Sequence, residues 1–143
     1  MLAQLLLGSL LVAITVAIHG AVMGWQLWSL RHRPPLRSAL LRNYIVLAEV
    51  AIWCVLAHLV EITVWAVFYR GMGIMWSLEL AIYFSAVTYA TIGYGDITPP
   101  EAWRLLASME GLTGILMCAW SGGFIFAVVS HLYRLDEAKR KTS

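Results

Sequence analysis

Hydrophobic positions gather into three long runs, Leu2 to Leu30, Tyr44 to Tyr69 and Leu105 to Tyr133. Each reaches or exceeds the roughly 20 residues that an α-helix needs to cross a bilayer core, so three membrane-spanning helices are expected. A cleaved secretory signal is the alternative for the first run, but no Lys or Arg precedes Leu2 and the run is longer than a signal core. Pro34 and Pro35 interrupt the chain after the first run and predict a turn between helices. The segment from Arg70 to Arg104 has a different pattern. Gly71-Met72-Gly73 predicts a flexible turn, and Ser77 with Glu79 fits the capped, acidic start of a helix. From Trp76 to Tyr89 that helix is about 20 Å long, too short to span. A half-length helix followed by Gly-rich backbone predicts a re-entrant segment, buried by protein or lining a wet cavity. Thr98-Pro99-Pro100-Glu101 then predicts an N-cap, Pro at the first helical position and a capping-box Glu at the start of the third span.

Composition narrows the function. The 143 residues suit one domain, and 61% of them are hydrophobic while 13% are charged, against roughly 25% charged in soluble domains. A mean hydropathy of +0.77 is incompatible with a small water-facing protein, which needs polar groups to cover its large relative surface. No nucleophile, base and orienting group stand at a recognisable spacing, so an enzyme is not expected, and no cofactor is implied. A net charge of +2 supplies no continuous basic face for nucleic acid. Cys54 and Cys118 lie inside apolar runs and read as small core residues. Arg31, Arg33, Arg37 and Arg42 follow the first run, and Arg134, Lys139, Arg140 and Lys141 follow the third, whereas only Arg70 and Arg104 lie between the second and third. Positive charge concentrates on the cytoplasmic side. The expected topology in a cell membrane therefore has the N-terminus outside and the C-terminus in the cytoplasm, with the basic segments also suited to anionic lipid headgroups. About ten residues follow Tyr133, too few for a cytoplasmic ligand-binding module. The first run has no Arg before Arg31, so it lacks the Arg ladder of a voltage sensor.

The half-length helix ends in Thr88-Tyr89-Ala90-Thr91-Ile92-Gly93-Tyr94-Gly95-Asp96. This string resembles the signature of the potassium-channel pore-domain family, the two-transmembrane, inward-rectifier-like or prokaryotic type, with Ile92 where Val is more usual. The resemblance covers about Tyr44 to Tyr133 and implies outer helix, pore helix, filter and inner helix, with one extra membrane helix before them. The expected segments are residues 1–43 (first helix and basic loop), 44–133 (pore domain) and 134–143 (short tail). The resemblance implies an all-α membrane protein whose subunit has three transmembrane helices plus a re-entrant pore helix and filter loop. It also implies that the carbonyls of Thr91, Ile92, Gly93 and Tyr94 hold K+, in place of its water shell, when four chains surround one axis. Gly93 and Gly95 supply backbone conformations that a Cβ forbids. One filter loop without an internal repeat implies a homotetramer.

Two positions where many family members place tryptophans hold Tyr83 and Phe84. Tyr83 is expected to bond Asp96 and support the filter, whereas Phe84 has no donor for Tyr94. Val87 stands where some members hide a glutamate, which removes a carboxylate pair with Asp96. The run Glu110-Gly111-Leu112-Thr113-Gly114-Ile115-Leu116-Met117-Cys118 is similar to the inward-rectifier inner helix. By that likeness Gly114 is the hinge glycine and Cys118 occupies a cavity position. Gly114, Cys118, Ser121, Ile125 and Val129 follow helical spacing and are expected to line one stripe of cavity and gate. Gly122 and Gly123 fit close helix packing better than a second hinge. Among the intramembrane ionisable residues Glu49, His58, Glu61 and His19, His58 and Glu61 stand at i and i+3 and can pair; His19 reads as a hydrogen-bonded packing residue. The expected function is passive K+ conduction. A weakly selective cation pore is opposed by Tyr94, an uptake-transporter subunit by the single intact filter, and a nonconducting accessory protein by the presence of the signature.

Overall fold

The computed structural model describes residues 2–32 and 39–142, and every regular element among them is helical. In order these are α1 (Leu2–Arg31), α2 (Ala39–Gly71), α3 (Leu78–Tyr89), a 3-10 turn (Glu101–Trp103) and α4 (Arg104–Thr142). Among the described residues, α1, α2 and the stretch Glu101–Arg134, which holds most of α4, are long and apolar enough to cross a membrane, which makes this an all-α, multi-pass membrane protein. The expected turn at Pro34 and Pro35, with Arg33 and Arg37, lies outside the described residues. The residues after Tyr133, expected as a short tail, continue α4 to Thr142. No Gly or Pro interrupts them, and most are good helix formers.

The three spans pack with α1 antiparallel to α2 and parallel to α4. Along α1, Thr15 meets Trp65 and His19 meets Glu61, while Trp25 lies edge-on to Trp53 with ring centroids 4.6 Å apart. On the α4 side, the Gln4 amide donates to the Ala102 carbonyl, and His19 reaches Ser121. Two apolar clusters form the core. One holds Leu11, Trp65, Tyr69, Phe84 and Leu106 at the end where α3 inserts, and the other holds Met23, Val50, Cys54, Val128 and Leu132 toward the opposite end. Between them lies a layer of buried polar side chains from all four helices.

The re-entrant helix α3 begins where Ser77 accepts a hydrogen bond from the Leu80 amide at 3.1 Å, with Glu79 in the first turn. Its inner face is buried between α2 and α4: Ala81 is fully enclosed, Phe84 packs edge-on to Tyr69 at 5.2 Å, and the Ser85 hydroxyl donates to the Ile62 carbonyl at 2.9 Å. α4 approaches α3 through its glycines. A Cβ at Gly114 would fall on the Tyr89 carbonyl oxygen and 2.7 Å from its carbon, and one at Gly111 would stand 3.4 Å from the Thr88 oxygen. Gly114, expected as a hinge, thus sits where only glycine lets two backbones meet.

The start of α4 departs from expectation. Thr98 does not cap it; the chain enters through the 3-10 turn with no side-chain cap, after Pro100 at φ −51° and ψ 150°. Pro99 and Pro100 have no N–H for a hydroxyl to accept, and a residue before proline is held extended, so helical geometry starts only at Glu101.

These contacts predict opposite outcomes for two glycine-to-alanine changes. At Gly8 the added methyl meets the flexible end of Met109, 2.5 Å from Sδ, which can swing aside. At Gly114 it meets backbone. Denaturation of the detergent-solubilised protein should show Gly8→Ala near wild type and Gly114→Ala destabilised by about 1–3 kcal/mol, the usual cost of overpacking; equal stabilities would contradict the close approach.

Candidate ion pathway

The segment after α3 has a backbone of alternating hand. Positive φ recurs at Thr91 (58°), Gly93 (60°) and Gly95 (75°). In an extended chain successive carbonyls point to opposite sides; reversing the hand at every second residue turns them toward one side. Glycine takes this geometry without steric cost, so Gly93 and Gly95 were legible in the sequence. Thr91 was not, since a β-branched residue at positive φ is a rare conformation costing about 1–3 kcal/mol. Its surroundings hold it there. The amides of Thr91, Ile92 and Gly93 donate back to the carbonyls of Thr88 and Val87 at 3.0, 2.9 and 3.3 Å, which fastens the segment to the C-terminal turn of α3. Among the described residues, no donor of this chain reaches the carbonyl oxygens of Thr91, Ile92, Gly93 or Tyr94. Four exposed acceptors stand in sequence at the negative end of a helix dipole, an arrangement that attracts cations.

At the outer end of this segment Tyr83 donates to Asp96 Oδ2 at 2.6 Å, and the Ile97 amide donates to Oδ1 at 3.0 Å. The bond to the carboxylate and its nearby negative charge push the Tyr83 hydroxyl above the ordinary tyrosine range. Phe84 turns into the apolar core. Behind the segment, where the sequence has Val87 instead of an acid, lies a cavity of about 240 Å³ bordered by Val87, Phe84, Gly95, Asp96 and Ala107.

The expected stripe along α4 splits in two. Gly114 and Ser121 are buried, Gly114 against α3 and Ser121 between two histidines. Cys118 is exposed, and Ile125 packs half-buried against the second apolar cluster with Val129 also half-buried. The face that α4 leaves uncovered within the chain carries Leu112, Ile115, Leu116, Trp120 and Phe126 beside Cys118. Ser121 therefore leaves the assigned cavity wall, because a hydroxyl buried in the membrane interior goes where it finds partners.

Two polar clusters tie α3 to the spans. In the first, Tyr69 donates to Glu110 Oε2 at 2.8 Å and Ser85 meets Glu110 Oε1. Ser85 has one hydrogen and faces both Ile62 O and Glu110; the set closes when Glu110 carries a proton and donates it to Ser85. In the second, His19 Nδ1 lies 2.8 Å from Glu61 Oε1, and Tyr89 donates to Glu61 Oε2. His58 Nδ1 lies 3.1 Å from the Tyr89 oxygen and 3.5 Å from Glu61 Oε2. Ser121 Oγ joins His58 Nε2 at 3.1 Å and His19 Nε2 at 3.2 Å. The i, i+3 pairing of His58 with Glu61 was visible in sequence; Tyr69, Ser85, Tyr89 and Glu110 carried no local signal. His19, His58 and Glu61 bring nitrogen and oxygen atoms within 4.8 Å of one another, and each of those atoms is already engaged in this set.

Residues 45–131, more than half of the chain, match the family model described as "Ion channel". No curated protein and no solved structure matches the chain.

The proton count around Glu110 gives a direct test. Glu110→Gln keeps a donor for Ser85 and an acceptor for Tyr69 and should leave stability near wild type, while Glu110→Leu leaves the Tyr69 hydroxyl unpaired and Ser85 with the Ile62 carbonyl alone and should cost about 1–3 kcal/mol in denaturant unfolding. A large loss in Glu110→Gln would mean that the site needs the charged acid.

Proposed function

We propose that this chain, which belongs to the ion-channel family matched over residues 45–131, is the subunit of a potassium-selective channel that conducts K+ passively through a homotetrameric pore. The observation that carries the reading is the alternating backbone of Thr91 to Gly95 with its unspent carbonyls. One such segment cannot enclose an ion; four around an axis stack rings of oxygen from Thr91, Ile92, Gly93 and Tyr94 that replace the ion's water shell. The Thr91 hydroxyl adds a ring at the inner end. The α3 C-termini then point their negative ends at the ion's approach, and the Tyr83–Asp96 bond braces the outer mouth.

In this assembly the uncovered face of α4 lines the inner cavity, with Cys118 at its edge. The filter mouth, Gln4 and Ala102 share one end of the subunit, and Arg31, Arg42 and Arg134 stand at the other. Positive charge favours the cytoplasm, which supports the reading with the N-terminus and the filter mouth outside and the C-terminus inside a cell membrane.

Flux into sealed vesicles tests the function. The purified tetramer should pass K+ well ahead of Na+, and Gly93→Ala, which adds a Cβ at positive φ, should abolish selective flux even where the tetramer still forms. Equal flux of both ions through the unmodified protein would favour a weakly selective cation pore, and none would favour an accessory protein.

A membrane-impermeant cationic thiol reagent tests cavity and orientation together. Applied from the cytoplasmic side it should reduce current by placing charge in the path, and Cys118→Ser should remove the effect. Block only from the opposite side would reverse the orientation, and an open channel insensitive from both sides would put Cys118 outside the cavity.

A further inference from the structure

The five side chains His19, Glu61, Tyr89, His58 and Ser121 form a closed circle of five contacts: His19 to Glu61, Glu61 to Tyr89, Tyr89 to His58, His58 to Ser121 and Ser121 back to His19. Each contact joins two heteroatoms and needs one hydrogen between them. With Glu61 ionised and both imidazoles neutral, the circle holds four hydrogens, one each on His19, His58, Tyr89 and Ser121. Whichever tautomers are chosen, one contact is left with two lone pairs facing each other. A fifth hydrogen closes every contact. Placed on His58, it lets Nδ1 donate to Tyr89 and Nε2 to Ser121; Ser121 donates to His19 Nε2, and His19 Nδ1 and Tyr89 donate to Glu61. Placed on His19, it closes the circle equally well in the reverse sense through Ser121.

Electrostatics favours the same count. Five hydrogens make the circle neutral, an imidazolium balanced by a carboxylate, and four leave a net negative charge at membrane depth, where an unbalanced charge is expensive. His19 and Glu61 are fully buried and His58 is only 18% exposed at its side chain, so water does little to relieve it. The titratable groups facing the circle come from every packed element: His19 from α1, His58 and Glu61 from α2, Tyr89 from α3, and Cys118 and Glu110 from α4, within electrostatic reach of Glu61 and Tyr89 respectively.

We propose that this circle is a binding site for a single proton and that its occupancy governs ion flow through Tyr89. Tyr89 is the last residue of α3. Its hydroxyl is in the circle, its carbonyl rests against Gly114, and two residues on lies Thr91, whose amide is tied to Thr88. When the proton leaves and neutral His58 keeps its hydrogen on Nε2 for Ser121, His58 Nδ1 and the Tyr89 oxygen face each other with lone pairs and separate, so Tyr89 loses one of its two partners and the turn that holds Thr91 in its positive-φ state is released. The protonated circle therefore stabilises the arrangement described above, and its deprotonated form weakens it, so conduction falls as pH rises. Tyr89 acts here as a positioning residue, without contact to the ion.

The coupling rests on the potassium-channel reading, while the proton site does not, and two measurements separate them. In full-length protein in lipid nanodiscs, histidine nitrogen NMR should show His19 and His58 changing together in one step worth one proton; two independent steps, or none across the stable pH range, would overturn the site. In vesicles, K+ flux should fall across that step by about tenfold, the change produced by one unit of difference in proton affinity between the two filter states. Tyr89→Phe leaves three contacts, which the hydrogens of His19, His58 and Ser121 already close, so it should remove the shared histidine step and flatten the flux profile. Because either ring can carry the fifth hydrogen, the second variant replaces both: His19→Gln with His58→Gln keeps hydrogen-bonding groups without a titrating ring and should also flatten the flux profile. A flux profile unchanged in either assembled variant would overturn the coupling. A single histidine step with no K+ flux at any pH would overturn the channel reading and the coupling, and leave the proton site standing.

Discussion

A stretch of non-helical backbone held among membrane helices is the constraint on which the rest of the structure depends. Lipid offers no donors or acceptors, so irregular backbone at that depth must be satisfied by protein or face a wet path. The segment from Thr91 to Gly95 meets the condition asymmetrically. Its first amides are spent on the carbonyls of Val87 and Thr88, and its carbonyls are left for something else. That asymmetry requires a helix that stops at mid-depth and presents its C-terminal turn, which explains why α3 is 12 residues long while its neighbours have 30, 33 and 39.

Holding such a short helix in place needs more than apolar contact, because α3 has an apolar face that would pack in several registers. The polar bonds remove that freedom. Ser85 reaches Ile62 and Glu110, and Tyr89 reaches Glu61 and His58, so a slip of one residue would break all of them at once. A single buried hydrogen bond contributes only about 1 kcal/mol net, but leaving its partners unpaired costs more than that. Register is thus specified chiefly by what misplacement would cost. Gly114 adds a steric term of the same kind, since the Tyr89 backbone fits against α4 only where there is no Cβ.

Helix α1 lies outside the family match at residues 45–131, yet it is not a peripheral addition. It carries Thr15, which accepts from the Trp65 indole at 3.1 Å, and His19, which completes the polar layer beside α3. A helix joined to α2 and α4 by the same layer that anchors α3 is placed to influence the segment from Thr91 to Gly95 without touching it.

Much of this protein was legible in its sequence because the relevant signals are local. Uninterrupted hydropathy marks the three spans, Ser77 and Glu79 mark the start of α3, and the string from Thr91 to Asp96 marks the family, since each depends on residues within one or two turns of each other. The bond from Tyr83 to Asp96 was reachable too, across thirteen residues of one motif. What the tertiary structure alone decided involves partners brought together from distant helices. Spacing along α4 put Gly114, Cys118, Ser121 and Ile125 on one stripe, but spacing cannot say which side of the stripe meets a neighbour, and Ser121 turned toward a histidine 102 positions away. Thr98 lost its capping role because two prolines delay the helix. His19, Tyr89 and Glu110 were single polar letters in apolar runs until packing surrounded them, and a buried polar group takes its meaning from the hydrogens its neighbours can share, which only their positions in space decide.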